Sequence, residues 1–76
     1  MKINYFGEEL EIPSWAKWVA TGIVGCVYAY ENKPDMTKCG FESKDGLSKF
    51  IRFVDAEWSF YYWKLSLKEL AKEEVK

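Results

Sequence analysis

Seventy-six residues suffice for one domain and are too few for two separate cores, and a net charge of −1 offers no basic footprint for duplex nucleic acid and no acidic mimicry of it. A composition that is 49% hydrophobic and 18% aromatic excludes intrinsic disorder. Charge is evenly spread: the first 42 residues carry four basic and six acidic side chains, and the other 34 carry seven and six.

The opening residues predict strands and tight turns. Lys2 to Phe6 alternates, Gly7-Glu8 is the expected turn, and Leu10 and Ile12 then alternate with Glu9 and Glu11 until Pro13 stops the ladder. Trp15 to Thr21 and Cys26 to Glu31 form the next expected pair, joined through Gly22-Ile23-Val24-Gly25. Val27 and Ala29 alternate with Tyr28 and Tyr30, so both faces of this strand are apolar and it belongs in the middle of a sheet. Asn32-Lys33-Pro34-Asp35 has turn chemistry.

Met36 to Glu42 reads as an edge strand weakened by Gly40, and Ser43-Lys44-Asp45-Gly46 as a second turn. Lys49 to Val54 is rich in aromatic and β-branched residues and reads as a strand, with a helix starting near Ser43 as the competing reading. From about Phe60, the residues Trp63, Leu67, Leu70 and Ala71 recur at helical spacing, with lysines and glutamates over much of the remaining surface. The expected fold is α+β: a small antiparallel sheet of about three to five strands, with a C-terminal helix packed on one face.

No signal peptide or membrane span is legible. Val19 to Tyr30 is apolar but short, and Thr21, Gly22 and Gly25 interrupt it. A cytoplasmic protein is therefore expected, with Cys26 and Cys39 as reduced thiols packed as small apolar groups. Their spacing of thirteen fits no redox or zinc motif, so no metal, cofactor or disulfide is expected.

Two segments resemble a known group. Pro13-Ser14-Trp15-Ala16-Lys17-Trp18-Val19-Ala20-Thr21, then Gly25-Cys26-Val27-Tyr28-Ala29-Tyr30-Glu31 and Lys33-Pro34, look like small tailed-phage proteins of unknown function. Those carry an Ala-Thr-Asp hairpin turn, a Gly-x-Val-Tyr strand and a Lys-Pro or similar exit. Trp63-Lys64-Leu65-Ser66-Leu67 is similar to the Trp-x-x-Ser-Leu element near their C-termini. The resemblance covers about a third of the chain and rests on hairpin and packing signals. Gly22 stands where the group has Asp, so this turn must form by glycine permissiveness. The resemblance implies a phage or prophage accessory protein acting in the cytoplasm of a bacterial host, and it carries over no catalytic residue.

Enzymatic chemistry has little to work with. The chain has no His, which removes the commonest general base and leaves Ser, Thr and Cys without their usual partner. Asp55 and Glu57 read as exposed charge at an element junction. Gly22-Ile23-Val24-Gly25 lacks the Lys-Ser/Thr of a phosphate loop. Tyr28, Tyr30, Phe50 and Phe53 could stack single-stranded bases, but Lys49 and Arg52 are thin support for a basic groove, and nucleic acid is disfavoured.

The run Trp58-Ser59-Phe60-Tyr61-Tyr62-Trp63 is the strongest functional signal. Five aromatics in six residues cannot all face one small core. As a strand, Trp58, Phe60 and Tyr62 face one side and Tyr61 and Trp63 the other. As a helix, Phe60 and Trp63 join the buried stripe, Tyr61 and Leu65 lie nearly opposite, and Tyr62 projects to one side. Either geometry leaves aromatic surface off the core. The expected function is non-catalytic protein binding through Trp58, Tyr61, Tyr62 and Leu65, with a host factor as partner. A structural or homo-oligomeric role through the same patch is the alternative, as a homodimer for example.

Overall fold

The computed structural model describes residues 1–70. Its regular elements are eight short strands, β1 (Lys2–Tyr5), β2 (Glu8–Glu11), β3 (Trp18–Thr21), β4 (Cys26–Tyr30), β5 (Asp35–Met36), β6 (Phe41–Glu42), β7 (Ser48–Phe53) and β8 (Lys68–Glu69), and one helix, α1 (Ala56–Tyr62), extended by a 3-10 turn at Trp63–Leu65. The α+β fold with a small antiparallel sheet is as expected. Four strands form that sheet in the order β7-β4-β3-β8, and two hairpins, β1-β2 and β5-β6, form separate two-stranded ladders.

Alternation places the core. Ile3 pairs with Leu10 across the first hairpin, and Ile3, Tyr5, Leu10 and Ile12 all face inward while Lys2, Asn4, Glu9 and Glu11 face water. They pack on Val19, Val27 and Ala29, which share one face of the sheet, with Leu70 closing the cluster. The first hairpin thus covers one face of the sheet as a second layer. Its turn sits one residue earlier than expected, at Phe6-Gly7, and both residues have positive φ, 49° and 83°. That is the primed geometry whose twist suits a two-residue hairpin.

β4 is central, as its two apolar faces require. Tyr28 and Tyr30 share the face opposite Val27 and Ala29, but Tyr30 is buried and Tyr28 is not. The Tyr30 hydroxyl reaches the carbonyl of Phe41 at 3.4 Å. The segment expected as one edge strand from Met36 to Glu42 instead folds back on itself as β5-β6, closed by Thr37 N–H on Gly40 O at 2.8 Å. Gly40 is where the run breaks. The competing helix near Ser43 does not form, and β7 is a strand paired with β4.

The largest departure lies at the C-terminal end. The helix begins at Ala56, where the Asp55 carboxylate accepts Glu57 N–H at 3.0 Å as an N-cap, and it is finished before Leu67. Lys68 and Glu69 then pair with Val19 and Trp18 as an edge strand. The free edge of β3 outweighs helical spacing, because Trp18 and Val19 would otherwise leave backbone groups unpaired. Trp63 and Leu70 are buried as expected, Leu67 is half-buried, and Phe60, expected in the buried stripe, is exposed. Ala71 and the lysines and glutamates beyond it lie outside the described residues. No helix among the described residues is long and apolar enough to cross a membrane.

Candidate functional site

Helix α1 turns almost all of its side chains outward because a small residue anchors it. Ser59 is its one buried residue. The Ser59 hydroxyl lies 3.0 Å from both Ile23 O and Ala56 O, fastening the helix to the turn between β3 and β4. At Gly25, φ is 94°, and a Cβ there would stand 2.7 Å from Val54 O and 3.5 Å from Ser59 Oγ. Glycine permissiveness does make this turn, at Gly25: Gly22 N–H and Gly25 N–H bond Cys26 O and Gly22 O, each at 3.0 Å.

With Ser59 facing in, most of the aromatics of α1 are left at the surface. Tyr61 is 70% exposed and Leu65, on the 3-10 turn, 75%. Tyr62 and Phe60 are exposed too, and Trp58 is half-buried. The rings touch in series. Phe6 lies 5.2 Å from Trp58 between centroids, Trp58 lies 5.7 Å from Tyr62, Tyr62 lies 6.5 Å from Tyr61, and Tyr61 lies 5.3 Å from Phe60. Trp58, Tyr61 and Tyr62 therefore form one row with Phe6 and Phe60, two rings that sequence reasoning left out. Phe6 joins from the first hairpin, and no local pattern places it there.

Phe6 is unusual in its backbone as well. It is the one non-glycine residue with positive φ among those described. Bulky residues rarely adopt that conformation, and Asn or Gly commonly fill such turn positions. Asn4 Oδ1 accepts Gly7 N–H at 3.1 Å and braces the turn. The hairpin thus holds an exposed phenyl ring against Trp58 in a backbone conformation that phenylalanine disfavours.

A groove of about 340 Å³ runs between this hairpin, the end of β7 and the start of α1. Phe6, Phe53 and Trp58 form its apolar walls, while Glu8, Arg52 and Asp55 supply polar groups at its rim. Arg52 Nη1 meets Glu8 Oε1 at 3.2 Å. Both side chains are about half exposed, so the pair orients the rim more than it stabilises the fold. Beyond the groove, Phe53 lies 4.9 Å from Phe50, and Phe50 lies 5.7 Å from Tyr28. The four-ring stacking platform that the sequence suggests is reduced, since Tyr30 is buried, with its hydroxyl on Phe41 O of β6.

Other chemistry is sparse. Cys26 and Cys39 are free thiols that line one shallow cleft with Gly22 and Gly40. Among the described residues, no three His, Cys, Asp or Glu side chains gather as a metal site. Burial pushes the Tyr5 hydroxyl above the usual tyrosine range, although hydrogen bonds to Thr21 and Ser66 partly oppose that shift. Its bonds, to Thr21 Oγ1 at 2.8 Å and Ser66 O at 2.9 Å, lie within the core. No protein-family model, curated protein or solved structure matches the chain.

Proposed function

We propose that this protein is a non-catalytic protein-binding module whose contact surface centres on Trp58, Tyr61, Tyr62 and Leu65 and extends to Phe6 and Phe60. The observation that carries the reading is the ring row itself, in which Phe6, Phe60, Tyr61 and Tyr62 are exposed and Trp58 is half-buried. Tyr and Trp combine area, rigidity and a polar handle, which makes them frequent anchors of protein interfaces. The segments similar to tailed-phage proteins supply the context: an accessory protein, phage-encoded, that modulates a host factor in the bacterial cytoplasm.

Tyr61→Ala combined with Leu65→Ala tests this. Both side chains are largely exposed, so the double variant should keep the wild-type fold. Truncating a hot-spot residue typically costs about 2 kcal/mol or more, close to a thirtyfold loss of affinity. Sedimentation of the purified protein and affinity capture from bacterial lysate are the readouts. A captured protein lost with the variant supports host binding, and a dimer that the variant converts to monomer supports self-association through the same patch. An unfolded variant, or one indistinguishable from wild type in both assays, removes the reading.

A further inference from the structure

The four-stranded sheet is unequally finished at its two edges. β8, two residues long, closes one. At the other, β7 runs for six residues, pairs among the described residues with β4 alone, and exposes every side chain except the half-buried Ile51. Long open edges are templates for a further strand, and proteins usually shorten them or cover them.

The register indicates which backbone groups face outward. Glu31 N–H bonds Leu47 O at 2.9 Å, and Ala29 stands opposite Lys49. Antiparallel pairing alternates, so Lys49 is turned toward β4, while Ser48 and Phe50 direct N–H and C=O to the open side. The ladder shifts between Val27 and Tyr28, and Val54 N–H on Gly25 O at 2.9 Å fixes the register beyond that point. Arg52 there faces Val27, and Phe53 again points outward. Phe50 and Phe53 are in ring contact, and Phe53 forms a wall of the groove shared with Phe6 and Trp58.

Charge favours one occupant. β7 carries Lys49 and Arg52 and no acidic residue, and among the described residues only Arg52 of the two is in an ion pair. A second copy pairing through its own β7 would bring two more cations to the same edge, and like charges across a ladder destabilise it. An extended peptide with acidic side chains compensates Lys49 instead.

We infer that β7 receives an extended acidic and apolar segment of a partner protein as a fifth strand, with one of its apolar side chains in the groove between Phe6, Phe53 and Trp58. This rests on the protein-binding reading and names the kind of partner: main-chain bonds at Ser48 and Phe50 supply affinity, and Lys49 with the groove supplies selectivity.

The probe is an acetylated, amidated peptide, Val-Glu-Val-Glu-Val-Trp, titrated into the full chain while backbone amide resonances are followed. Binding with a dissociation constant of about 1 mM or tighter is expected, with the largest shifts at Ser48, Phe50 and Phe53. Methylating alternate peptide nitrogens, replacing its Glu with Lys, or introducing Ser48→Pro should each weaken binding at least about tenfold. Proline at position 48 removes a donor from the open side and leaves the β4 ladder intact. The methylated peptide gives the same test with an unaltered protein, should the proline variant not fold. Absence of binding, or binding indifferent to N-methylation, overturns strand addition. If a partner is nevertheless lost with Tyr61→Ala and Leu65→Ala, the wider protein-binding reading survives. A dimer broken by Ser48→Pro overturns the acidic-peptide assignment in favour of a second copy.

Discussion

Ser66 meets Thr21 twice. Its hydroxyl oxygen accepts Thr21 N–H at 2.9 Å and lies 3.1 Å from Thr21 O, and both residues are fully buried. The pairs Trp18 with Glu69 and Val19 with Lys68 set a register in which Ser66 stands opposite Thr21. The backbone has already turned into the 3-10 segment at that point, so a side chain takes the place of a strand. Replacing Ser66 with Ala orphans the Thr21 amide, and the expected cost is about 1–3 kcal/mol. Ser43→Ala, which removes an exposed bond to Asp45 O, should change stability by less than about 0.5 kcal/mol. Urea unfolding of the two variants decides, and equal effects would mean that Ser66 is not a structural clasp.

The same turn separates burial from exposure over two residues. Trp63 is buried and in edge contact with Phe41 at 5.9 Å, whereas Leu65 is among the most exposed apolar side chains. Trp63→Ala should cost about 3–5 kcal/mol, a large part of the stability of so small a domain. Leu65→Ala should stay within about 0.5 kcal/mol. Thermal unfolding measures both. A reversed order would place Leu65 in the core and remove it from the binding surface.

How far these features were legible depended on range. Alternation at Ile3, Tyr5, Leu10 and Ile12 marked the first hairpin, and two apolar faces marked β4 as central, because both patterns are local. Helical spacing at Trp63, Leu67 and Leu70 predicts a later helix than the one at Ala56–Tyr62. What redirected them was the unpaired edge of Trp18 and Val19, some 50 residues earlier in the chain. Ser66 stands out in the sequence only through the Trp-x-x-Ser-Leu resemblance, and its role as a clasp is not legible there because it depends on Thr21. The surplus of aromatics around Trp58 to Trp63 was evident by count, but Phe6 enters the row only through tertiary packing.

Alkaline stability should report on Tyr30. Burial, followed by the neighbouring Tyr28 and Tyr5, pushes its hydroxyl up to about 12. An unfolded tyrosine ionises near pH 10. Below about pH 10 both states hold the proton, and the contribution to stability is fully present. Between about 10 and 12 the unfolded chain releases the proton while the folded one keeps it, so unfolding free energy falls as pH rises. Tyr5 acts in the same direction. Urea midpoints measured across this range should decline for the wild type and decline less for Tyr30→Phe. A variant as steep as the wild type would assign the alkaline loss elsewhere.

Phe6 offers the sharpest separation of folding from binding. Its positive φ of 49° is one that Asn adopts with less strain, so Phe6→Asn relieves the turn. The variant also loses the ring contacts to Tyr5 at 4.8 Å and Trp58 at 5.2 Å, each a small term for a side chain that is more than half exposed. The two effects oppose each other, and the net change in stability should fall within about 1 kcal/mol. Binding has no such offset, because the variant removes a ring from the row and a wall from the groove. Recovery of the partner in affinity capture, or dimer content if the chain self-associates, should drop at least about tenfold. The pair of readouts matters more than either alone. Unchanged binding with a stability loss above about 2 kcal/mol would make Phe6 a packing residue, and the strained turn would then have no part in recognition.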